Sequence, residues 1–150
     1  MRDNNSVREL LIEGFRNRDA SLIRIQVEHA IVMNILRSMQ DLYLCLDEKS
    51  MGGFGKNKYQ IFEYLVALNL KRRMVVMEAK NINFYFVRFS HREEGELLGV
   101  IEKILYGFLG LAPEKIITVI EVGHSDKSDE LVQTLIREYS EKSSKVIKFE

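Results

Sequence analysis

Between Met51 and Arg92 the chain carries eight basic side chains, Lys56, Lys58, Lys71, Arg72, Arg73, Lys80, Arg88 and Arg92, against two acids, Glu63 and Glu78. Eight of its fourteen aromatic residues fall in the same stretch: Phe54, Tyr59, Phe62, Tyr64, Phe84, Tyr85, Phe86 and Phe89. Cations that neutralise phosphates, interleaved with rings on which bases stack, are the chemistry of a nucleic-acid-binding surface. The flanks differ. Residues 1–50 are nearly balanced in charge, and residues 93–150 hold seven basic against twelve acidic groups, so formal neutrality hides a dipolar chain. The residues expected on a phosphate backbone are Lys56, Lys58, Lys71, Arg72, Arg73, Lys80 and Arg88. Phe54 or Tyr59, set among polar neighbours, is expected to stack on a base.

Other residue patterns could do chemistry and are weaker. Gly52-Gly53-Phe54-Gly55-Lys56 precedes a helix, so its amides and the lysine could cradle a phosphate. It lacks the spacing of a nucleotide-binding Walker loop and has no Ser or Thr after the lysine. Glycine's tolerance of positive φ explains the run without any ligand. His91 and His124 each follow an expected strand, beside Arg92, Ser125 and Asp126, where an anion or acid–base site could assemble. Ser90 and Asp126 are equally well read as helix caps. Cys45 lies in an apolar run and reads as a small buried hydrophobe, and His29 as a solvated or structural residue.

Glu78-Ala79-Lys80 has the literal form of the Glu-x-Lys half of a PD-(D/E)xK nuclease site. The element order expected from Tyr59 onward (helix, hairpin, helix, strand, helix, strand) also resembles that superfamily's core, over residues 58–150. The resemblance implies an upstream Asp and the Glu binding Mg²⁺, with the lysine orienting water. No Asp occurs between Asp47 and Asp126, so the second oxygen ligand such chemistry needs has no counterpart. Helix 58–72 with its hairpin also looks like the last helix and wing of a winged-helix domain. That reading would set Lys71, Arg72 and Arg73 at the helix–wing junction.

The elements that must position these groups follow from periodicity and caps. Ser6 and Glu9 form a capping box for a first helix carrying Leu10, Leu11 and Phe15. From Ala20 to Leu46, Ile25, Val32, Leu36, Met39, Tyr43 and Leu46 recur at three-to-four spacing, which predicts one long helix. Leu22–Val27 and Leu42–Leu46 also tolerate a strand reading. Residues 48–57 read as a glycine-rich loop and 58–72 as a helix ending on Lys71-Arg72-Arg73, where the helix dipole favours cations. Residues 73–78 and 83–89 read as an antiparallel hairpin. A capping box of Ser90 and Glu93 opens a helix to about residue 110. A strand at 115–122, a helix at 127–142 and a strand at 146–149 complete the chain. Alternating strands and helices imply parallel strands joined by right-handed crossovers.

The expected fold is therefore a single α/β domain over residues 1–150, a small mixed sheet behind an N-terminal helical segment. Its three parts are helical 1–50, basic 51–92 and acidic 93–150. With 46% apolar and 29% charged residues, the composition is that of a globular chain. No apolar run approaches the ~18 residues of a membrane span. One cysteine excludes an internal disulfide and a multi-cysteine metal site. No signal peptide is evident, and an intracellular, cytoplasmic protein without cofactor, metal or membrane partner is expected. Two functions fit. The first is a non-catalytic nucleic-acid-binding protein using the basic stretch. The alternative is an interaction module or homodimer assembled through the long N-terminal helix, in which the basic and acidic parts would be complementary.

Overall fold

A computed structural model describes residues 7–38, 41–79, 82–123 and 146–148. A helix α1 (Val7–Arg16) leads into three strands, β1 (Ala20–Val27), β2 (Ala30–Arg37) and β3 (Asp41–Asp47). Two helices follow, the short α2 (Glu48–Gly52) and α3 (Lys58–Ala67), then the hairpin β4 (Met74–Ala79) and β5 (Ile82–Ser90). Helix α4 (Glu94–Glu102) runs on into a π-helical turn at Lys103–Phe108, and β6 (Ile117–Gly123) and β7 (Val146–Lys148) complete a seven-stranded sheet. The strand order is β6-β1-β2-β3-β5-β4-β7. The class is mixed α/β with an N-terminal helix, as expected.

The long helix over 20–46 does not form. That stretch is an antiparallel meander of three strands, so the described part of 1–50 is not a helical segment and the long helix expected there to build a homodimer is replaced by strands. Both faces of the meander are apolar. Ile23, Ile25, Met33, Ile35, Leu42, Leu44 and Leu46 belong to the main core, while Leu22, Leu36 and Cys45 belong to a second cluster with Met77, Phe86 and Val122. A strand buried on both sides loses the polar–apolar alternation that marks a half-buried one. The β1–β2 turn is equally silent: Glu28 takes the left-handed region at φ 59°, without glycine, asparagine or proline.

Strand direction also differs from expectation. Every pairing is antiparallel, including β6 with β1 and β7 with β4. The chain leaving α4 does not lay β6 beside β5 but carries it to the far side of β1. The expected hairpin forms, with Glu78 opposite Asn83, yet it is no wing, because β5 also pairs with β3 and β4 with β7. The expected helix over 127–142 lies outside the described residues.

Helices α1, α3 and α4 cover one face of the sheet. Leu11 and Phe15, Ile61 and Leu65, and Leu97, Leu98 and Ile101 pack there against Ile23, Val76 and Val87 in one continuous core. Arg37, half-buried at the end of β2, ties α1 to this face. Its Nε donates to the Ala20 carbonyl at 3.0 Å, and its Nη2 donates to Gly14 and Phe15 carbonyls at 3.2 and 2.6 Å. Helix C-terminal carbonyls lack intrahelical partners, so a guanidinium there supplies both hydrogen bonds and a favourable charge. Burial lowers the Arg37 pKa, opposed by the Glu94 charge.

The main core and α3 place the two ends of the basic stretch apart. One end of the sheet holds Val27, Ala30, Asp47, Phe84 and Ile117; the other holds Arg37, Asp41, Ser90 and Met74. Helix α3 starts near the first end, capped by Asn57 and Gln60, and stops at Ala67 rather than at residue 72. Asn69, at φ 63°, turns the chain, and Lys71–Arg73 forms a separate 3-10 turn leading into β4 at the second end.

Candidate nucleic-acid interface

The cations singled out in the sequence divide into groups that the fold does not bring together. Lys56 and Lys58 flank the Asn57 cap at the start of α3, and Lys71 and Arg72 lie exposed beyond its end. Ten helical residues rise about 15 Å between the two groups. Arg88 occupies the opposite face of the sheet, because its neighbours Val87 and Phe89 point into the main core. Lys80 lies outside the described residues.

Arg73 is engaged elsewhere. Its guanidinium grips Glu93 through Nη1 at 2.9 Å and Nη2 at 2.5 Å, reaches Glu96 at 3.4 Å, and donates to the Arg88 carbonyl at 3.3 Å. It also lies 5.2 Å from the Phe89 ring centroid. The pairing raises the Arg73 pKa. In turn Arg73, helped by the Ser90 backbone amide, holds the Glu93 carboxyl down at about 2. The Ser90–Glu93 capping box expected from the sequence is therefore real, and it doubles as an anchor for the β4 entry.

A pH dependence follows. A carboxyl whose folded pKa lies below its unfolded value stabilises the fold above the unfolded value, and loses that contribution as pH falls through the folded one. Glu93→Gln is expected to flatten the acid limb of thermal stability between the ordinary carboxylate range and about pH 2, leaving the neutral-to-basic limb parallel to wild type. Melting temperature followed against pH by circular dichroism checks this, and an unchanged acid limb contradicts it.

The start of α3 is different. Tyr59 is the most exposed large apolar side chain among the described residues, at 67%, and the Lys58 Nζ sits 5.3 Å from its ring centroid. The Lys56 Nζ lies 5.0 Å from the Phe108 ring centroid, and Phe108 stacks against Tyr64 at 4.7 Å with a 37° tilt. The Tyr64 hydroxyl donates to the Lys103 carbonyl at 2.9 Å, in the π-helical turn. No ion pair among the described residues involves Lys56 or Lys58. Two cations over aromatic faces, without acidic partners among the described residues, can bind phosphate while the exposed Tyr59 ring remains available for stacking.

Phe54 is half-buried and packs against the main core, so it is no free-standing platform. It does line an open groove of about 1010 Å³ at the β1–β2 end of the sheet, together with Phe84, Ile31 and Lys49. Of the groove's acids, Asp47 accepts from the Ser50 amide and hydroxyl, and Glu28 is paired with Lys115 at 2.6 Å. Lys49 has no ion-pair partner among the described residues. Phe54, Lys56, Lys58 and Tyr59 thus follow one another along the chain from this groove onto the α3 start.

Phe108 and Lys49 escaped sequence reasoning, which counted Tyr64 among the aromatic rings without placing it beside Phe108. The π-helical turn has no local sequence marker, and only Gly107 hints at it: a Cβ there would lie 2.7 Å from the Tyr64 hydroxyl. Among the other candidates, Cys45 is buried and its thiol is pushed up to about 12 by burial. Glu78 is exposed on β4. No cluster of three or more His, Cys, Asp or Glu side chains able to hold a metal ion occurs among the described residues. His91 opens the 3-10 turn after β5, while His124 lies outside the described residues. The strand end before His124 is at the same end of the sheet as His91. It is four strand spacings away, about 19 Å, so the two neighbourhoods do not merge.

These features define a mixed α/β protein with a wholly antiparallel seven-stranded sheet, and one aromatic and cationic surface at the start of α3. The chain matches no protein-family model, no curated protein and no solved structure. No helix among the described residues is long and apolar enough to cross a membrane.

Proposed function

We propose that the protein binds nucleic acid non-catalytically, and that it takes a single strand across the groove and the start of α3. The observation that carries this reading is Tyr59, two-thirds exposed, with the Lys58 ammonium over its face and Lys56 three residues before it in the chain. An exposed aromatic face stacks on an unpaired base, whereas bases in a duplex stack on each other and are closed to it. Lys56 and Lys58 would neutralise adjacent phosphates, and Phe54 with Phe84 would offer the groove's apolar wall to a second base. Lys71 and Arg72 extend the track to the other end of α3. Arg73 and Arg88, named with the others from sequence, are left out of this track for the reasons of geometry given above.

The test is fluorescence anisotropy of labelled single-stranded and duplex oligonucleotides titrated across a range of salt. Single strands are expected to bind more tightly, with log affinity falling linearly with log salt. Removing both Lys56 and Lys58 should reduce that slope by roughly 1.4, about 0.7 for each lost contact. Tyr59→Ala should weaken single-strand binding by ~1–3 kcal/mol with the slope unchanged. Binding whose affinity and slope are indifferent to all three substitutions, or no binding at low salt, sinks the proposal.

A further inference from the structure

Strand β6 ends the sheet, and among the described residues it has a strand neighbour on one side only. The Ile116 carbonyl accepts the Glu28 amide of the β1 side. In an extended chain the backbone polar groups of successive residues point to opposite sides, so those of Thr118, Ile120 and Val122 also face β1. Those of Ile117, Val119 and Glu121 face outward, which leaves three donors and three acceptors along an edge that no described strand pairs with. Native edge strands are normally blunted by lysine, proline or a bulge. From 117 to 123 the chain reads Ile-Thr-Val-Ile-Glu-Val-Gly, with neither lysine nor proline. Ile116, next to it, is 58% exposed.

We infer that this edge pairs with the β6 edge of a second copy of the chain, antiparallel about a two-fold axis through Thr118. Outward-facing residues must lie opposite outward-facing residues, so the axis passes through one residue, and each choice fixes every pair. An axis at Glu121 sets two carboxylates against each other, and one at Ile117 sets Lys115 opposite Val119 and leaves Glu121 against the turn at residues 113–114. Axes at Val119 or Ile120 leave Glu121 facing an apolar residue. Over residues 115–121 the axis at Thr118 alone of these sets like side chains together and opposite charges against each other. Thr118 meets Thr118 of the partner subunit, a favourable cross-strand pair. Ile116 meets Ile120 of the partner subunit, and Lys115 meets Glu121 of the partner subunit. Ile117 and Val119 then exchange main-chain hydrogen bonds with their counterparts.

Lys115 already pairs with Glu28, and the Asn17 amide donates to Glu121 at 2.6 Å, so both charges are held near the edge before association. The contact is one strand wide, which makes a weak, concentration-dependent dimer. Lys115 also lines the groove, but Thr118, Ile120 and Glu121 do not, so Thr118→Lys tests the pairing separately from nucleic-acid binding.

Light scattering and sedimentation over a range of protein concentration test the pairing. Wild type should move from monomer to dimer as concentration rises. Thr118→Lys places two like charges face to face at the axis from an exposed position, and should weaken the dimer at least about tenfold without altering the circular dichroism spectrum. Lys115→Glu and Glu121→Lys should each weaken it, and the double charge reversal should restore it. A monomer at every concentration overturns the inference. So does a dimer indifferent to Thr118→Lys, or one that the double reversal fails to restore.

Discussion

Arg37→Met is expected to loosen α1 from the sheet and to cost the protein roughly 2–4 kcal/mol of stability, more than any surface charge elsewhere in the chain. The methionine keeps most of the apolar stem and deletes only the guanidinium. Three carbonyls then lose their donor: Ala20 at the start of β1, and Gly14 and Phe15 in the last turn of α1. Gly14 still accepts the Asn17 amide at 3.2 Å, so the Ala20 and Phe15 carbonyls bear most of the loss. A buried acceptor left without a partner costs about 1–3 kcal/mol. Arg37→Lys should fall between, since one ammonium cannot reproduce a fork that reaches two elements at once. Urea unfolding measures the stability, and amide hydrogen exchange locates the effect. Protection should drop in α1 well before the central strands. An Arg37→Met protein within ~0.5 kcal/mol of wild type would show that the fork is incidental.

Leu44→Ala is expected to have a similar or larger effect by a different route, about 3–4 kcal/mol. Leu44 has no exposed surface and stands on β3, between Ile35 of β2 and Val87 of β5. Truncation removes the transfer free energy of the side chain and leaves a cavity. The strands on either side are fixed by their own ladders, so little of that cavity can collapse. The denaturant slope should stay unchanged, because the surface exposed on unfolding is nearly the same, and the midpoint should move. Tyr59→Ala is the contrast. It lies on the surface, and its stability should stay within about 0.5 kcal/mol of wild type while nucleic-acid affinity falls. A Leu44→Ala protein as stable as Tyr59→Ala would mean that β3 is not at the centre of the sheet.

Much of the local structure was legible because it rests on short-range chemistry. The helix start at Lys58, the Ser90–Glu93 capping box, the hairpin centred on Ala79–Ile82 and the strand expected over 115–122 and found at Ile117–Gly123 all depend on residues within a few positions of one another. The stretch 20–46 misled for a reason internal to the fold. Leu22 and Leu36 serve one face of the sheet while Ile25 and Leu46 serve the other, so apolar residues fall at both parities and mimic a helical period. The turn at Glu28-His29 carries no breaker residue to correct that impression. Parallel strands were inferred from the alternation of helices and strands, which says nothing about where a strand docks. β6 crosses to β1 because that edge was open, not because β5 precedes it in the chain.

The candidate site shows the same division. The sequence by itself determined the inventory: a run of cations and aromatic rings between Met51 and Arg92, a helix starting at Lys58, and Tyr59 in polar surroundings. Residue types and near neighbours are sufficient for that. Which cations are available was decided by tertiary structure alone. Arg73 is taken by Glu93, twenty positions away, and Arg88 points to the other face, while Lys56 meets Phe108 across more than fifty residues of chain. An ion pair or a ring contact at that separation is set by how helices cross a sheet. No pattern along the chain encodes it, because the free energy that fixes it is the burial of Ile61, Leu65 and Ile101 in the core beneath.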